Sequence, residues 1–148
     1  MTKPAKILVI DDDESVRKVL VAALEDAGYV VDVAENGMQA IEKSRAEFFH
    51  LALIDIRLPD MEGTRLLSEL KETTPKMVKI IVTGYPSLQN AIDAVKRGAD
   101  DYVVKPFKME SVLDTIRQRL KKQQDERKYS EDKVKDFIET RAKELGQD

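Results

Sequence analysis

The residues best placed to do chemistry each follow a short apolar stretch of the chain. They are Asp11, Asp12 and Asp13 after residues 7–10, Asp55 after 51–54, Thr83 after 78–82 and Lys105 after 102–104. If these stretches are parallel strands of one sheet, their carboxyl ends meet at the same edge, and the polar side chains converge there. Crowded carboxylates repel one another, and a divalent cation relieves that repulsion. Because all the candidate ligands are oxygens, the pattern favours Mg²⁺, Mn²⁺ or Ca²⁺ over zinc.

A hydroxyl and an ammonium group beside such a cation suit the chemistry of phosphoryl groups. Transfer of a phosphoryl group requires mainly positioning and neutralisation of charge, which Thr83, Lys105 and a bound Mg²⁺ would supply. A carboxylate can itself be the nucleophile and become an acyl phosphate. The residue types therefore predict a magnesium-dependent phosphoryl site.

Each of these residues also has a structural explanation when it is considered alone. The acidic triplet could cap the helix that begins near Glu14, and Asp55 could cap a loop. Thr83 at a strand end is commonly structural, and Lys105 before a proline is commonly solvated. The site hypothesis depends on all four features meeting at one edge, which is improbable as an accident.

Two aspartates compete for the role of nucleophile. The stretch V-I-D-D-D-E-S at residues 9–15 is similar to the D-x-D-x-[T/S] loop of haloacid-dehalogenase-type phosphatases, in which Asp11 would be the nucleophile. Those enzymes also use a later acidic pair, which 100–101 could supply, but their lysine precedes that pair, whereas Lys105 follows it. This alternative leaves Asp55 without a role, so Asp55 is the preferred nucleophile.

The elements that must position these residues alternate regularly along the chain. Apolar stretches predict strands, and apolar residues at helical spacing predict helices between them. The predicted strands are 7–10, 29–34, 51–54, 78–82 and 102–104; the predicted helices are 14–27, 36–47, 64–72, 87–97 and one that follows Phe107 and extends to Leu120. Such alternation indicates an α/β fold with a doubly wound parallel sheet of five strands. The order 2-1-3-4-5 would bring the candidate residues to one edge beside the switch point.

Composition limits the remaining possibilities. The chain has 148 residues, no cysteine and a formal net charge of −3. There is thus no disulfide framework or thiolate metal site, and no basic surplus that would predict direct binding of nucleic acid. No apolar stretch approaches the ~20 residues of a membrane helix, and no signal peptide is visible at the start. A soluble, cytoplasmic protein without a membrane partner is expected.

The last part of the sequence differs from the rest. Residues 121–133 are almost wholly polar, and Ser130 is predicted to cap a second helix over 131–145. Val134, Phe137 and Ile138 would form an apolar stripe on that helix. We therefore predict a core domain over 1–122 and a helical tail or linker over 123–148, which could dock on the domain, dimerise, lead to an output domain or be partly disordered.

Four stretches together resemble the receiver domain of two-component response regulators. They are I-L-V-I-D-D-D at 7–13, L-I-D-I-R-L-P-D-M-E-G at 53–63, I-I-V-T-G-Y at 80–85 and G-A-D-D-Y-V-V-K-P-F at 98–107. The resemblance covers about residues 5–122 and implies the same doubly wound, flavodoxin-like fold, with a C-terminal helical extension in this chain.

The resemblance implies a role for each site residue. Asp55 would accept a phosphoryl group from a sensor histidine kinase or a histidine phosphotransfer protein. Mg²⁺, or Mn²⁺ in its place, would be held by the side chains of Asp12 and Asp55 and the backbone carbonyl of Arg57, with Asp11 acting through water. Lys105 would pair with the aspartyl phosphate. The protein would be a switch rather than an enzyme, with magnesium-dependent self-phosphorylation and autodephosphorylation intrinsic to it.

The resemblance also implies how the switch would be transmitted. Thr83 would turn its hydroxyl to the phosphate and Tyr102 would follow inward, which would change the face formed by the fourth helix, the fifth strand and the fifth helix. That face or the tail would bind an output partner or a second copy. Related winged-helix regulators that dimerise through this face carry an arginine where this chain has Thr115. In the family the Lys105–Pro106 bond is cis, and residues equivalent to Arg57 and Tyr85 tune how fast the phosphate is hydrolysed.

Overall fold

A computed structural model of the chain describes residues 3–146. Five strands alternate with five helices in the order predicted from the sequence. The elements are β1 (Lys6–Ile10), α1 (Glu14–Asp26), β2 (Val30–Ala34), α2 (Gly37–Ala46), β3 (Leu51–Asp55), α3 (Gly63–Glu69), β4 (Val78–Thr83), α4 (Leu88–Lys96), β5 (Asp101–Val104) and α5 (Met109–Glu144).

The strands form one parallel sheet in the order β2-β1-β3-β4-β5, which confirms the predicted topology. The register aligns Ile10 with Ile54 and Asp55 with Val82, so β1, β3 and β4 end at almost the same level. All residues of β3 and β4 are buried, because helices cover both faces of a doubly wound sheet. Asp55 and the residues that follow β1 and β4 therefore lie together at the carboxyl edge of the sheet.

Alternation along the strands divides the core into two layers. Odd-numbered residues such as Ile7, Val9 and Leu53 pack with Leu20 of α1 and Ile116 of α5. Their even-numbered neighbours in β1 and β3, together with Ile81 of β4, pack with the helices α2, α3 and α4. The helices themselves end as the sequence indicates: α1 and α4 both stop before a glycine with positive φ, Gly28 and Gly98.

Helix α5 corrects the prediction of a second helix capped by Ser130. It runs from Met109 to Glu144 as one helix of 36 residues, and Ser130 lies in its interior. The polar stretch contains no glycine or proline and consists largely of Lys, Arg, Glu and Gln, which favour helix. An i,i+4 ion pair between Arg127 and Glu131 spans the position where a break was expected. Polarity of this kind indicates a solvated helix rather than its end.

The same helix crosses the predicted domain boundary at residue 122 without interruption. Gln123, the first residue assigned to the tail, is buried. Its amide donates to the backbone carbonyls of His50 at 2.9 Å and Lys76 at 2.7 Å, so it fastens α5 to the starts of β3 and β4. The contacts of the core domain thus reach at least one residue beyond the predicted boundary, and the division into domain and tail stays a proposal. Beyond it, Tyr129, Val134, Phe137 and Ile138 are exposed on α5.

One helix end differs from the sequence prediction, and one buried charge was not predicted. Helix α3 ends at Glu69, three residues before the predicted end, and the Lys71 amide donates instead to the Ser44 hydroxyl of α2 at 3.2 Å. The strand β4 carries a buried lysine, Lys79, whose ammonium donates to the Leu67 carbonyl in the last turn of α3.

Within residues 3–146, no helix has the length and apolar character needed to cross a membrane.

Candidate functional site

Three carboxylates meet at the carboxyl edge of the sheet. Asp55 is the last residue of β3, and Asp11 and Asp12 follow β1. Each offers one oxygen, and these oxygens all lie within 4.8 Å of one another. Asp11 and Asp55 are buried, whereas Asp12 is exposed. A set of oxygen donors that is open on one side fits a hard divalent cation such as Mg²⁺, which keeps part of its water shell.

Asp13 is separated from this cluster and has a different task. It is the N-cap of α1, and its carboxylate accepts hydrogen bonds from the amides of Ser15 at 2.8 Å and Val16 at 3.3 Å. Its own amide donates to Asp11 Oδ1 at 2.9 Å. The acidic triplet is therefore divided: Asp13 caps the helix, as its structural explanation predicted, while Asp11 and Asp12 lie in the carboxylate cluster.

A lysine that follows the edge strand β5 lies beside the same cluster. Lys105 follows β5, and its ammonium lies 3.0 Å from Asp11 Oδ2 and 3.8 Å from Asp55 Oδ2. Its backbone amide donates to the Thr83 carbonyl at 2.8 Å, and the following bond to Pro106 is cis. A single positive charge thus serves two carboxylates, and its shorter contact is with Asp11.

The electrostatic balance of the cluster is set by this shortage of positive charge. Burial, and after it the neighbouring charges of Asp11 and Asp12, raise the pKa of Asp55 from 3.8 to about 6. Lys105 and the hydrogen bond from the Arg57 amide act in the opposite direction but do not compensate. A cation at the cluster would favour the ionised form of Asp55, which is the form that acts as a nucleophile or metal ligand.

Thr83 and the loop after it lie beside the cluster. Thr83 ends β4 and is fully buried, and its hydroxyl oxygen accepts a hydrogen bond from the Tyr85 amide at 2.9 Å. The Tyr85 ring is exposed and stacks under the Arg57 guanidinium, whose carbon lies 3.8 Å from the ring centroid. Because Arg57 follows β3 and Tyr85 follows β4, this cation–π pair joins the two loops that border Asp55.

A residue that the sequence did not single out, Asn90 in the first turn of α4, connects this loop to Tyr102. The Tyr102 hydroxyl is 2.5 Å from Asn90 Oδ1, which also accepts from the Ser87 amide at 3.2 Å. The Asn90 amide group donates to the Tyr85 carbonyl at 3.0 Å, and the Ser87 hydroxyl accepts from the Asn90 backbone amide. The pattern S-x-x-N could have predicted the cap, but not the bond to Tyr102, which depends on how β5 and α4 pack.

The backbone of Asp55 is also held closely by the start of α3. A Cβ added to Gly63 would lie 2.2 Å from the Asp55 carbonyl oxygen, and the Gly63 amide donates to the Ile56 carbonyl at 2.6 Å. Asp60 in the same loop accepts from the amides of Gly37 and Met38 and so caps α2. The loop over residues 56–63 is therefore held against the end of β3 and against the start of α2.

Comparison with known proteins identifies this arrangement. The response regulator receiver domain family matches residues 7–117, which is most of the chain. The chain belongs to this family. As a receiver domain, it is part of a two-component system, and its fold is the one predicted by the resemblance.

The relatives of this receiver domain include both longer and shorter proteins. It is 42% identical over 114 residues to the transcriptional regulatory protein ZraR of Klebsiella oxytoca. The aligned residues make up 77% of this chain and 26% of that protein. The receiver domain therefore spans about a quarter of the length of such curated relatives. A CheY-like receiver domain protein from Methanospirillum hungatei is 41% identical with a TM-score of 0.80, over 83% of this chain and 98% of the other.

A third relative is a solved structure that contains a phosphorylated aspartic acid. It is a response regulator protein from Burkholderia pseudomallei, solved with a phosphorylated aspartic acid, a calcium ion and citrate. It is 35% identical, with a TM-score of 0.72, over 82% of this chain and 72% of that one.

Of the predicted site residues, the structure brings most to one place. Asp11, Asp12, Asp55, Lys105 and Thr83 lie at the same edge of the sheet, and the Arg57 amide reaches Asp55 Oδ1 at 3.4 Å. Tyr102 stands apart: it pairs with Ile81 across the sheet and bonds Asn90 of α4. Its predicted part in the switch rests on the network through Asn90 and Tyr85 rather than on direct contact with Asp55.

Proposed function

We propose that this receiver domain accepts a phosphoryl group on Asp55 from a phosphohistidine of a sensor histidine kinase or a histidine phosphotransfer protein. The observation that carries the proposal is the shared lysine: Lys105 lies within 4 Å of both Asp11 and Asp55, in a group of three carboxylates that a divalent cation fits. A carboxylate oxygen of Asp55 would form a P–O bond as the P–N bond of the donor breaks, which gives an acyl phosphate and a neutral imidazole.

The residues of the site would divide the work between metal and phosphate. Asp12, Asp55 and the Arg57 carbonyl would hold Mg²⁺, with Asp11 acting through water, and Mn²⁺ would also suit these ligands. A bound Mg²⁺ would neutralise charge that develops on the phosphoryl oxygens. Lys105 would move from Asp11 toward a phosphate oxygen, and Thr83 would donate its hydroxyl to another. The Burkholderia relative, with a phosphorylated aspartic acid and a calcium ion, supports this assignment.

Asp11 is a poor candidate for the nucleophile of a phosphatase. One of its oxygens accepts from the Asp13 amide and the other contacts Lys105 at 3.0 Å. Both oxygens are therefore engaged in holding the site together, whereas Asp55 Oδ2 has only the longer contact with Lys105. Membership of the receiver family also gives no support to the dehalogenase-type alternative.

The test of this function uses beryllofluoride, an analogue of the phosphoryl group, together with Mg²⁺. We expect saturable binding to the native chain, and a base-labile phosphoryl adduct after incubation with acetyl phosphate. Asp55→Asn should abolish both, while Asp13→Asn, which keeps the helix cap, should not. Turnover of small phosphate esters that survives Asp55→Asn but is lost in Asp11→Asn would instead establish the phosphatase.

The output of the switch would be the face formed by α4, β5 and α5. Leu88, Ile92, Val95 and Val104 are exposed apolar residues there, which suits a protein partner. Thr115 in α5 donates its hydroxyl to the Ser111 carbonyl and offers no charge for a symmetric dimer contact. A downstream protein or an output domain is therefore favoured over a homodimer through this face, while the exposed tail remains a second surface for a partner.

The stacked pair over the site should slow hydrolysis of the aspartyl phosphate. Tyr85 and Arg57 join the loops that border Asp55, so water must pass them to attack the phosphorus. We expect Tyr85→Ala to accelerate autodephosphorylation about fivefold, the equivalent of ~1 kcal/mol for such a pair. Tyr85→Phe, which keeps the ring, is the matched control. Decay of the phosphoprotein, followed after removal of the donor, measures the rate; a slower or equal decay in Tyr85→Ala would refute this role.

The Asn90 network should hold the switch in its unphosphorylated form. A turn of the Thr83 hydroxyl toward phosphate would remove the acceptor of the Tyr85 amide, and Tyr85 is bonded to Asn90. We expect Asn90→Ala to speed amide hydrogen exchange over residues 87–92 and to destabilise the fold by about 1 kcal/mol through the lost cap.

Two controls separate the cap from the switch. Tyr102→Phe removes only the hydroxyl that bonds Asn90, and Ser87→Ala removes only the cap. If the network transmits the switch, Tyr102→Phe should also change exchange at the start of α4. If only Ser87→Ala and Asn90→Ala do so, Asn90 is a cap and nothing more.

A further inference from the structure

A cavity lies at the opposite end of the sheet from Asp55. It has a volume of about 550 Å³ and is bordered by the segment before β1, the α1–β2 turn, the start of β3 and the middle of α5. We name it the basal pocket and define it by Lys3, Tyr29, His50, Arg117, Lys121 and Arg127. Since β3 separates it from Asp55, the two sites are about 15 Å apart, the length of a five-residue strand.

The charge of the basal pocket is unlike that of the chain as a whole. Among residues 3–146, its lining includes four cationic side chains, Lys3, Arg117, Lys121 and Arg127, and no aspartate or glutamate. The whole chain carries a net charge of −3. Within residues 3–146, Lys3 and Lys121 form no ion pair, while Arg117 and Arg127 are paired along α5 with Asp114 and Glu131. Lys3 and Lys121 therefore supply positive charge that no carboxylate of these residues neutralises, and Arg117 and Arg127 add guanidinium N–H donors.

The cations are placed by a rigid part of the fold. Gln123 fastens this segment of α5 to the carbonyls of His50 and Lys76, so Arg117, Lys121 and Arg127 project from an anchored helix. His50 accepts a hydrogen bond at Nδ1 from the Lys6 amide at 2.9 Å, which leaves Nε2 to carry the proton of the neutral ring. Burial and the nearby Arg127 lower the pKa of His50, so the imidazole is a neutral donor at pH 7.

The rest of the lining mixes apolar and uncharged polar groups. Tyr29, Leu120, Ala5 and Pro75 contribute ring and aliphatic surface, and Gln123 and Gln124 contribute amides. Apolar surface with a few polar groups is typical of small-molecule sites, and the volume lies within their usual range of roughly 300–1,000 Å³. Four cations suit a ligand that carries more than one negative charge.

We propose that the basal pocket binds a phosphorylated small molecule with a flat apolar body, of which a nucleoside diphosphate is the simplest example. The flat body would lie on Tyr29 and Leu120, and the phosphates would meet Arg117 and Lys121. Among the described residues, the basal pocket shares none with the carboxylate cluster at Asp55.

The test uses the full chain with EDTA present, so that no metal can bridge a ligand to the carboxylates near Asp55. ADP and inorganic pyrophosphate are titrated at low salt and followed by amide chemical shifts. We expect saturable shifts at residues 29, 50 and 117–127, with ADP binding more tightly than pyrophosphate. Arg117→Gln combined with Lys121→Gln should weaken ADP at least tenfold, and Tyr29→Ala should weaken ADP but not pyrophosphate.

The control is Lys133→Gln combined with Lys135→Gln, which removes the same charge from an exposed part of α5 outside the pocket. It should change ADP affinity less than twofold. The proposal is overturned if no saturable shift occurs at millimolar ADP, or if both double variants weaken ADP equally. It is also overturned if pyrophosphate matches ADP and Tyr29→Ala has no effect, or if a poly-glutamate peptide shifts these residues while ADP does not.

Discussion

Gly63→Ala should both destabilise the fold and impair the site, although alanine is the better helix former. Replacement of a glycine in a helix by alanine normally gains about 1 kcal/mol. At Gly63 the new methyl carbon would lie 2.2 Å from the Asp55 carbonyl oxygen and 2.9 Å from Ile56 Cα. All the atoms in its way belong to the backbone, so α3 or the end of β3 must move. Overpacking of this kind costs typically 1–3 kcal/mol, and the severity of this contact places it at the upper end.

The measurement is the free energy of unfolding in urea, with the affinity for beryllofluoride and Mg²⁺ beside it. We expect a net loss of about 2 kcal/mol, the steric term less the gain in helix propensity, and an affinity lowered at least tenfold because the Asp55 backbone shifts. Gly84→Ala is the matched control for stability, since its added carbon meets nothing closer than 3.9 Å. A Gly63→Ala variant as stable as the native chain would show that this approach of α3 to β3 is not needed.

What the sequence predicted well depends on patterns that repeat along a strand. Apolar stretches and the polar residues directly after them give the sheet, its order and the meeting of Asp55 with Asp11, because the ends of parallel strands coincide. The role of Asp13 could not be predicted in this way. Asp12 and Asp13 are adjacent residues of the same type after the same strand, so the sequence pattern does not distinguish them. Only the φ and ψ angles at the start of α1 decide that Asp13 caps the helix.

The features that the sequence missed depend on contacts between distant segments. Asn90 looks like an ordinary helix cap until β5 brings the Tyr102 hydroxyl against it. Gln123 is one polar residue among many in a solvated stretch, yet it is buried because α5 passes the ends of β3 and β4 at that position. Lys79 is similar, since its charge meets the last turn of α3. No local periodicity contains this information.

The candidate metal site could likewise be predicted only in part. The oxygen-only donor set could be predicted from composition, and the three carboxylates do converge. Their balance of charge could not, because it depends on Lys105 lying nearer to Asp11 than to Asp55. That balance, rather than the presence of the aspartates, determines how much the site destabilises the folded chain.

Asp55→Asn should make the folded chain more stable at neutral pH. The native pKa of Asp55, about 6, exceeds its ordinary value of 3.8, because burial and Asp11 disfavour the ionised form. The folded state therefore binds a proton more tightly than the unfolded state. Stability is lost as the pH rises from about 4 through about 6, and the full penalty applies above that. Asparagine carries no charge, so the variant does not lose stability in this way.

The expected size follows from the pKa difference after allowance for solvent. The difference corresponds to at most about 3 kcal/mol, and partial screening and the coupling to Asp11 reduce this to about 1–2 kcal/mol. We expect Asp55→Asn to raise the free energy of unfolding by that amount at pH 7 and by almost nothing at pH 4. Mg²⁺ should stabilise the native chain at pH 7 but act far less on the variant, because a cation bound at the carboxylates offsets the same repulsion.

Denaturant unfolding at pH 4, 5.5 and 7, with and without Mg²⁺, separates this charge effect from packing. Asp13→Asn is the control, since asparagine can keep the cap of α1 and its effect should not follow the same pH course. A gain in Asp55→Asn that is equal at pH 4 and pH 7 would indicate a packing effect. The absence of a gain at pH 7 would mean that Lys105 already compensates Asp55. In either case, repulsion at the Asp55 carboxylate would not be the reason for the proposed binding of a cation at this cluster.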